Sequence, residues 1–347
     1  MKHRYALPLV VAALLLARAA VAAAGEPAAG SPEAVARVEA AIEDARATFV
    51  DGDAKGALKR YREILRNEAA APGVPIRART RAYAGIMELA PYLGDTSLFT
   101  TGNLAARSLV GEEAKALGAD SADRVPGLIE AANWYYRSSQ PAPERKQLEE
   151  VVRVLGVAYG ERHASLAVPL VRLANSYITD EAKPQVARAA LDRAAGLALA
   201  GAPDEARTRS AIQAALGDHA VVFGAAGSGD GHYREAWRVL AASSPEAAVR
   251  EYGVPMPLHV NIPAEPFASM KGADYYAAGS VTMTFTVRAD GHLDDVAVLA
   301  KDTPVATLPT PVVQAFRRAR YRPRLADGAP VATTGEKYVL NFGQDAF

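Results

Sequence analysis

The sequence predicts an α+β multidomain chain in which an α-solenoid of helix pairs precedes a small domain of β-β-α-β order. Three observations carry this. Ile86-Met87-Glu88-Leu89-Ala90, Leu128-Ile129-Glu130-Ala131-Ala132, Leu170-Val171-Arg172-Leu173-Ala174 and Ile212-Gln213-Ala214-Ala215-Leu216 each start 42 residues after the one before. A fixed period of roughly 20 to 50 residues marks stacked repeats. Val281, Met283, Phe285 and Val287 alternate with Thr282, Thr284, Thr286 and Arg288, the period of a strand with one buried and one wet face. Thr310 and Pro311 then open a helix that places Val312, Val313, Phe316 and Ala319 on one face, because a proline at the first helical position loses no needed N–H.

Taken in order, residues 1–24 read as a secretory signal. Lys2, His3 and Arg4 supply its positive start, Ala6 to Ala17 its apolar segment, and Ala20-Val21-Ala22 or Ala22-Ala23-Ala24 its small-residue cleavage site. An uncleaved anchor is the competing reading, but Pro8 and Arg18 leave too short an apolar stretch to span ~30 Å of hydrocarbon. No stable membrane span is expected after cleavage. Residues 25–31, rich in Ala, Gly and Pro, are then expected to be a flexible new N-terminus.

The helical region is expected over 32–250. Ala45, Phe49, Gly52-Asp53, Ala57-Leu58, Tyr61 and Leu65 have the spacing of a tetratricopeptide-type helix pair: small residues let helices approach, Gly-Asp turns the chain, and the tyrosine fills the gap. Second helices carry their own apolar stripes, at Leu148, Val151, Val152 and Leu155, at Ala187, Ala190, Leu191 and Ala194, and at Tyr233, Ala236, Trp237 and Leu240. Gly160 to Ala167 resembles the linker of long tetratricopeptide variants. The whole stretch resembles divergent tetratricopeptide-like repeats.

The second domain is expected over 252–347, with 252–278 a proline-rich lead-in. Asp290-Gly291 should turn the first strand into a second, from His292 to Leu299. Pro323 disfavours helical geometry at Arg322, which predicts that the helix runs on to that point. Asp327-Gly328 and Pro330 make another turn, and in the last strand Tyr338, Leu340 and Phe342 point one way while Lys337, Val339 and Asn341 point the other.

Gly279, Val281, Phe285, Val287, Asp290, Gly291, Asp295, Val296, Val298, Leu299, Arg318, Arg320, Tyr321, Pro323, Asp327, Gly328, Pro330 and Val331 together resemble the C-terminal domain of the TonB energy-transducer family. The resemblance implies an exported, periplasmic protein of the Gram-negative envelope that binds partner proteins, with a link to TonB-type outer-membrane transport. It further implies that the last strand, Tyr338, Val339, Leu340, Asn341 and Phe342, accepts an outer-membrane receptor peptide by strand addition. A homodimer through this domain is a further expectation. The alternative is a periplasmic scaffold or cell-wall-binding protein without energy coupling.

Arg317, Arg318, Arg320, Arg322 and Arg324 form a basic strip beside Tyr321, so Arg317, Arg320 and Tyr321 join the candidate contact residues, although a solvated helix face is the simpler account of the strip. Other chemistry finds little purchase. Lys plus Arg and Asp plus Glu each number 39, a balance that argues against nucleic acid as partner. The chain has no cysteine, which excludes disulfides and thiolate chemistry. His163, His219, His232, His259 and His292 are not at zinc-site spacings, and Asp294-Asp295 reads as a solvated turn. Gly224 to Gly231 lacks the lysine of a phosphate loop and reads as an insertion between helices. No metal, cofactor or catalytic group is expected, and the chain is not expected to be an enzyme.

Overall fold

A computed structural model describes residues 32–68, 74–93, 98–202, 204–260, 279–302 and 309–342. The signal segment, the 25–31 stretch and most of the proline-rich lead-in lie outside the described residues, as do the side chains of Thr310, Pro311 and Phe342.

Helices come in consecutive packed pairs: α1 (Pro32–Val50) with α2 (Ala54–Glu63), α3 (Ile76–Leu89) with α4 (Leu98–Leu117), α5 (Val125–Arg137) with α6 (Pro141–Tyr159), α7 (Ala167–Thr179) with α8 (Pro184–Ala195), and α9 (Glu205–Phe223) with α10 (Asp230–Ser243). The 42-residue step now has a structural meaning. Ile86, Leu128, Leu170 and Ile212 are each buried, one in the first helix of each of four successive pairs. Between α1 and α2, Gly52 turns at φ 94° and the Asp53 carboxylate caps α2 by accepting from the Gly56 N–H at 2.8 Å. Tyr61 then fills the space left by Gly85, where a Cβ would come within 2.3 Å of its ring.

Packing divides the chain into two units between Ser165 and Leu166, inside the helical region. Described residues of the first unit comprise α1 to α6. The second contains α7 to α10, the short α11 (Pro245–Tyr252) and all of the β structure.

In that second unit, β1 (Met256–His259) is followed by β2 (Gly279–Val287), β3 (Leu293–Asp302), α12 (Pro309–Phe316), β4 (Arg320–Arg322), β5 (Arg324–Ala326), β6 (Ala329–Val331) and β7 (Thr333–Phe342). The main sheet is antiparallel with order β3-β2-β7. Val281, Met283, Phe285 and Val287 face inward onto Val312, Phe316 and Ala319, and Tyr338 and Leu340 of β7 complete the core. The threonines between them are only partly covered.

Sequence and structure part company at the end of α12. The helix stops at Phe316, not at Arg322, and Arg320–Arg322 is a strand paired antiparallel with Met256–His259. Pro323 demands extended geometry at Arg322, and a strand supplies that as well as a helix terminus does. Asp327 and Gly328 both take positive φ, the requirement of a two-residue hairpin turn, here joining β5 to β6.

Gly291, at the β2–β3 turn, has φ 82°, and a Cβ there would lie 2.3 Å from the Tyr321 carbonyl oxygen. The Tyr321 N–H also bonds to the Gly291 carbonyl at 2.9 Å, so the turn is fastened to β4. Gly291→Ala should therefore destabilise this unit by more than ~1 kcal/mol. A thermal unfolding midpoint equal to wild type would show that the turn is not under this constraint.

Candidate protein-binding site

Strand β7 pairs with β2 along Gly279↔Phe342 to Val287↔Thr333 and has no strand on its other side among the described residues. An edge strand of this length presents a row of unpaired backbone donors and acceptors, which is a template for another extended chain. Its alternation divides the candidate residues. Tyr338 and Leu340 are buried in the core, while Val339 is 53% exposed and Lys337 and Asn341 are also exposed. Tyr338 and Leu340 can therefore serve a partner only through their backbone. Burial also pushes the Tyr338 phenol up from its ordinary value. Phe342 is placed by its backbone pairing alone.

The basic strip does not survive as one surface. Arg317 and Arg318 are exposed just beyond α12. Arg320 is half-buried, and its guanidinium donates to the carbonyls of Arg318 at 2.9 Å and Ala319 at 3.1 Å. Tyr321 lies in the core between Phe285 and Phe316, so its side chain is structural. Arg322, read from sequence as part of a solvated face, is 6% exposed.

That arginine leads to the contacts sequence reasoning missed. Its Nε donates to Asp218 Oδ1 of α9 at 2.9 Å, and its Nη2 bonds to Oδ2. Asp218 is 2% exposed and also accepts from the Tyr233 hydroxyl at 2.9 Å. The Arg322 guanidinium carbon lies 5.7 Å from the Tyr252 ring centroid, within cation–π range. Tyr252 donates to Ser210 Oγ, whose own proton goes to the Ala236 carbonyl at 2.8 Å. Burial works against the Arg322 charge, but the Asp218 carboxylate outweighs it and the arginine pKa rises. Burial, then the Asp218 charge, raises that of Tyr233 well above the ordinary phenol value. On β1, His259 is buried with Nδ1 2.8 Å from the Thr179 carbonyl at the end of α7 and Nε2 3.2 Å from Glu181. The β1–β4 ribbon is thus fastened to α7 and α9. Asp218 stands among the buried residues Ala214, Ala215, Leu216, Val221 and Val222, and a carboxylate in such company requires a buried cation, which Arg322 supplies.

Among the described residues, no group of three His, Asp or Glu side chains could hold a metal ion, and no helix is long and apolar enough to cross a membrane.

The comparisons with known proteins divide the chain in the same sense as its secondary structure. Residues 276–342 match the family model of the Gram-negative bacterial TonB protein C-terminal. This span holds the β3-β2-β7 sheet, α12 and the β5–β6 hairpin, so the chain ends in a TonB C-terminal-like domain preceded by helical repeats. The helical region is similar to solved repeat structures. One, from a Podosopora anserina protein described as a kinesin light chain with nearly identical TPR-like repeats, has TM-score 0.47 and 18% identity over 60% of this chain and 97% of that one. Another, BtubC from P. vanneervenii, has TM-score 0.43 and 15% identity over 63% of this chain and 91% of that one. The repeat assignment here rests on the helix pairs themselves. No curated protein matches the sequence.

Proposed function

We propose that this is an exported, non-catalytic protein of the Gram-negative envelope whose β7 edge takes an extended peptide by strand addition, while the helical repeats act as a scaffold for further protein contacts. The observation that carries this reading is the one-sided pairing of β7 within a domain that matches the TonB C-terminal model. Main-chain hydrogen bonds along Tyr338 to Phe342 would give affinity, and Lys337, Val339 and Asn341 would select among peptides. An outer-membrane receptor peptide is the proposed partner, with a role in TonB-type transport. The mature protein is proposed to begin near Ala23 or Gly25 and to fractionate with the periplasm; recovery of Met1 in the inner membrane would overturn that location.

Proline substitution separates the edge from the rest. Backbone N–H groups alternate sides along a strand, so of Val339→Pro and Leu340→Pro only one removes a donor from the β2 ladder. The variant that stays folded by circular dichroism should lose binding to the receptor peptide by at least ~10-fold, whereas Arg317→Ala should alter only its salt dependence. Wild-type affinity in the folded proline variant, with binding abolished by Arg317→Ala, would instead make the basic residues the site.

A further inference from the structure

We propose that Glu113 makes the joint between α4 and α5 a proton-responsive contact of the helical repeats, tight when its carboxyl is neutral and loosened when it is charged. The two helices meet through two reciprocal notches. In one, Trp134 of α5 lies against Gly102 of α4, where a Cβ would come within 2.0 Å of the indole, and the indole N–H donates to Asn103 Oδ1 at 2.8 Å. In the other the roles are exchanged: Glu113 of α4 lies against Gly127 of α5, where a Cβ would come within 2.1 Å of the carboxyl group. One knob is an apolar ring and the other can acquire a charge.

Glu113 is 2% exposed. One carboxyl oxygen is 2.6 Å from Thr80 Oγ1 of α3, and the other has no hydrogen-bond partner among the described residues. The Thr80 hydroxyl is also 3.3 Å from the Ile76 carbonyl. That hydroxyl has one proton and two acceptors if Glu113 is ionised. A neutral Glu113 resolves the conflict by donating to Thr80, which then donates to Ile76.

Among the described residues no cation forms an ion pair with Glu113, and Arg124 acts on it only as a neighbouring charge. Arg124, in the turn before α5, is buried and bonds to the Ala119 carbonyl and to Glu150 of α6 at 3.0 Å. On α4 itself, Glu112 is held by Arg79 at 2.7 Å and by the Tyr83 hydroxyl at 2.6 Å. Burial pushes the Glu113 carboxyl up from 4.5 to about 7, against the opposing pulls of the Thr80 hydrogen bond and the Arg124 charge. Between those two values the folded unit holds a proton that the unfolded chain has released. Stability therefore falls as pH rises through this window and stays low above it.

The test compares the full chain with Glu113→Gln by amide hydrogen exchange, corrected for intrinsic rates, at about pH 5.5 and about pH 8.5. The opening equilibrium of α4 and α5 in wild type should rise roughly 30-fold over this span, and in Glu113→Gln it should stay nearly flat. Identical pH profiles for the two proteins would overturn the proposal. Should the variant fail to fold, the ¹³C titration of the wild-type Glu113 carboxyl decides: a midpoint near neutrality supports the proposal, and one in the ordinary carboxylate range refutes it.

Discussion

Asp218→Ala is expected to destabilise the unit formed by residues 166–342 by about 3–5 kcal/mol, because it leaves the Arg322 guanidinium charged and buried without its partner. Tyr233 loses its acceptor in the same step, adding a second buried group without a bond. Arg322→Ala should be comparably severe for the opposite reason, a stranded carboxylate. Replacing both with apolar residues of similar size, Asp218→Leu with Arg322→Met, should recover most of the loss, since a buried pair costs nearly as much to desolvate as it returns. The readout is urea unfolding followed by Trp237 fluorescence in a Trp134→Phe background, as these are the chain's 2 tryptophans. Single variants losing less than ~1 kcal/mol would place this pair in the range of solvated ion pairs.

Asp218 belongs to α9 and Arg322 to β4, so the same result bears on autonomy. The match to the TonB C-terminal model begins at residue 276, yet β4 inside it pairs with β1, which lies before it, and both strands are held by α7 and α9. A fragment starting near Tyr252 would expose Arg322 and remove its carboxylate. It is expected to fold less stably than the same residues within the full chain.

Phe316→Ala is the second large effect, at about 3–5 kcal/mol. The ring is fully buried, with its centroid 5.0 Å from Phe285 in an edge contact and 5.0 Å from Tyr338. It therefore joins α12 to both β2 and β7, and its loss leaves a cavity under the strand proposed to bind partners. Binding should weaken together with stability. A loss below ~1 kcal/mol would mean that the core closes over the gap.

What was legible in the sequence follows the range of the interactions. Local period placed β2 with its inward residues correctly, because alternation is a property of successive residues. The 42-residue step exposed the helix pairs, since each repeat must bury the same face against its neighbour. Arg322 was not legible. Its neighbours Arg317, Arg318, Arg320 and Arg324 suggest a wet surface, and only the three-dimensional return of β4 to α9, 104 residues earlier in the chain, turns it inward. The end of α12 was misplaced for the same reason: the strand that claims Arg320–Arg322 is β1, whose pairing has no local sign. Tyr321 looked like a contact residue beside a basic strip, and the β-register buries it instead. For the candidate edge, sequence alternation had already separated Tyr338 and Leu340 from Val339 and Asn341, and the structure adds that β7 keeps one side without a strand among the described residues.

The central claim, that β7 receives an extended partner, is tested most directly by site-specific photo-crosslinking in Gram-negative cells. A photoreactive residue would be placed in turn at Lys337, Val339, Asn341, Arg317 and Arg318, with the crosslinked partner residues mapped by mass spectrometry. Strand addition predicts that 337, 339 and 341 crosslink to alternate residues of one continuous segment of an outer-membrane receptor, with the order of partner residues fixed by the direction of the added strand. Crosslinks confined to 317 and 318, or adducts to glycan with no peptide register at 337, 339 and 341, would contradict it.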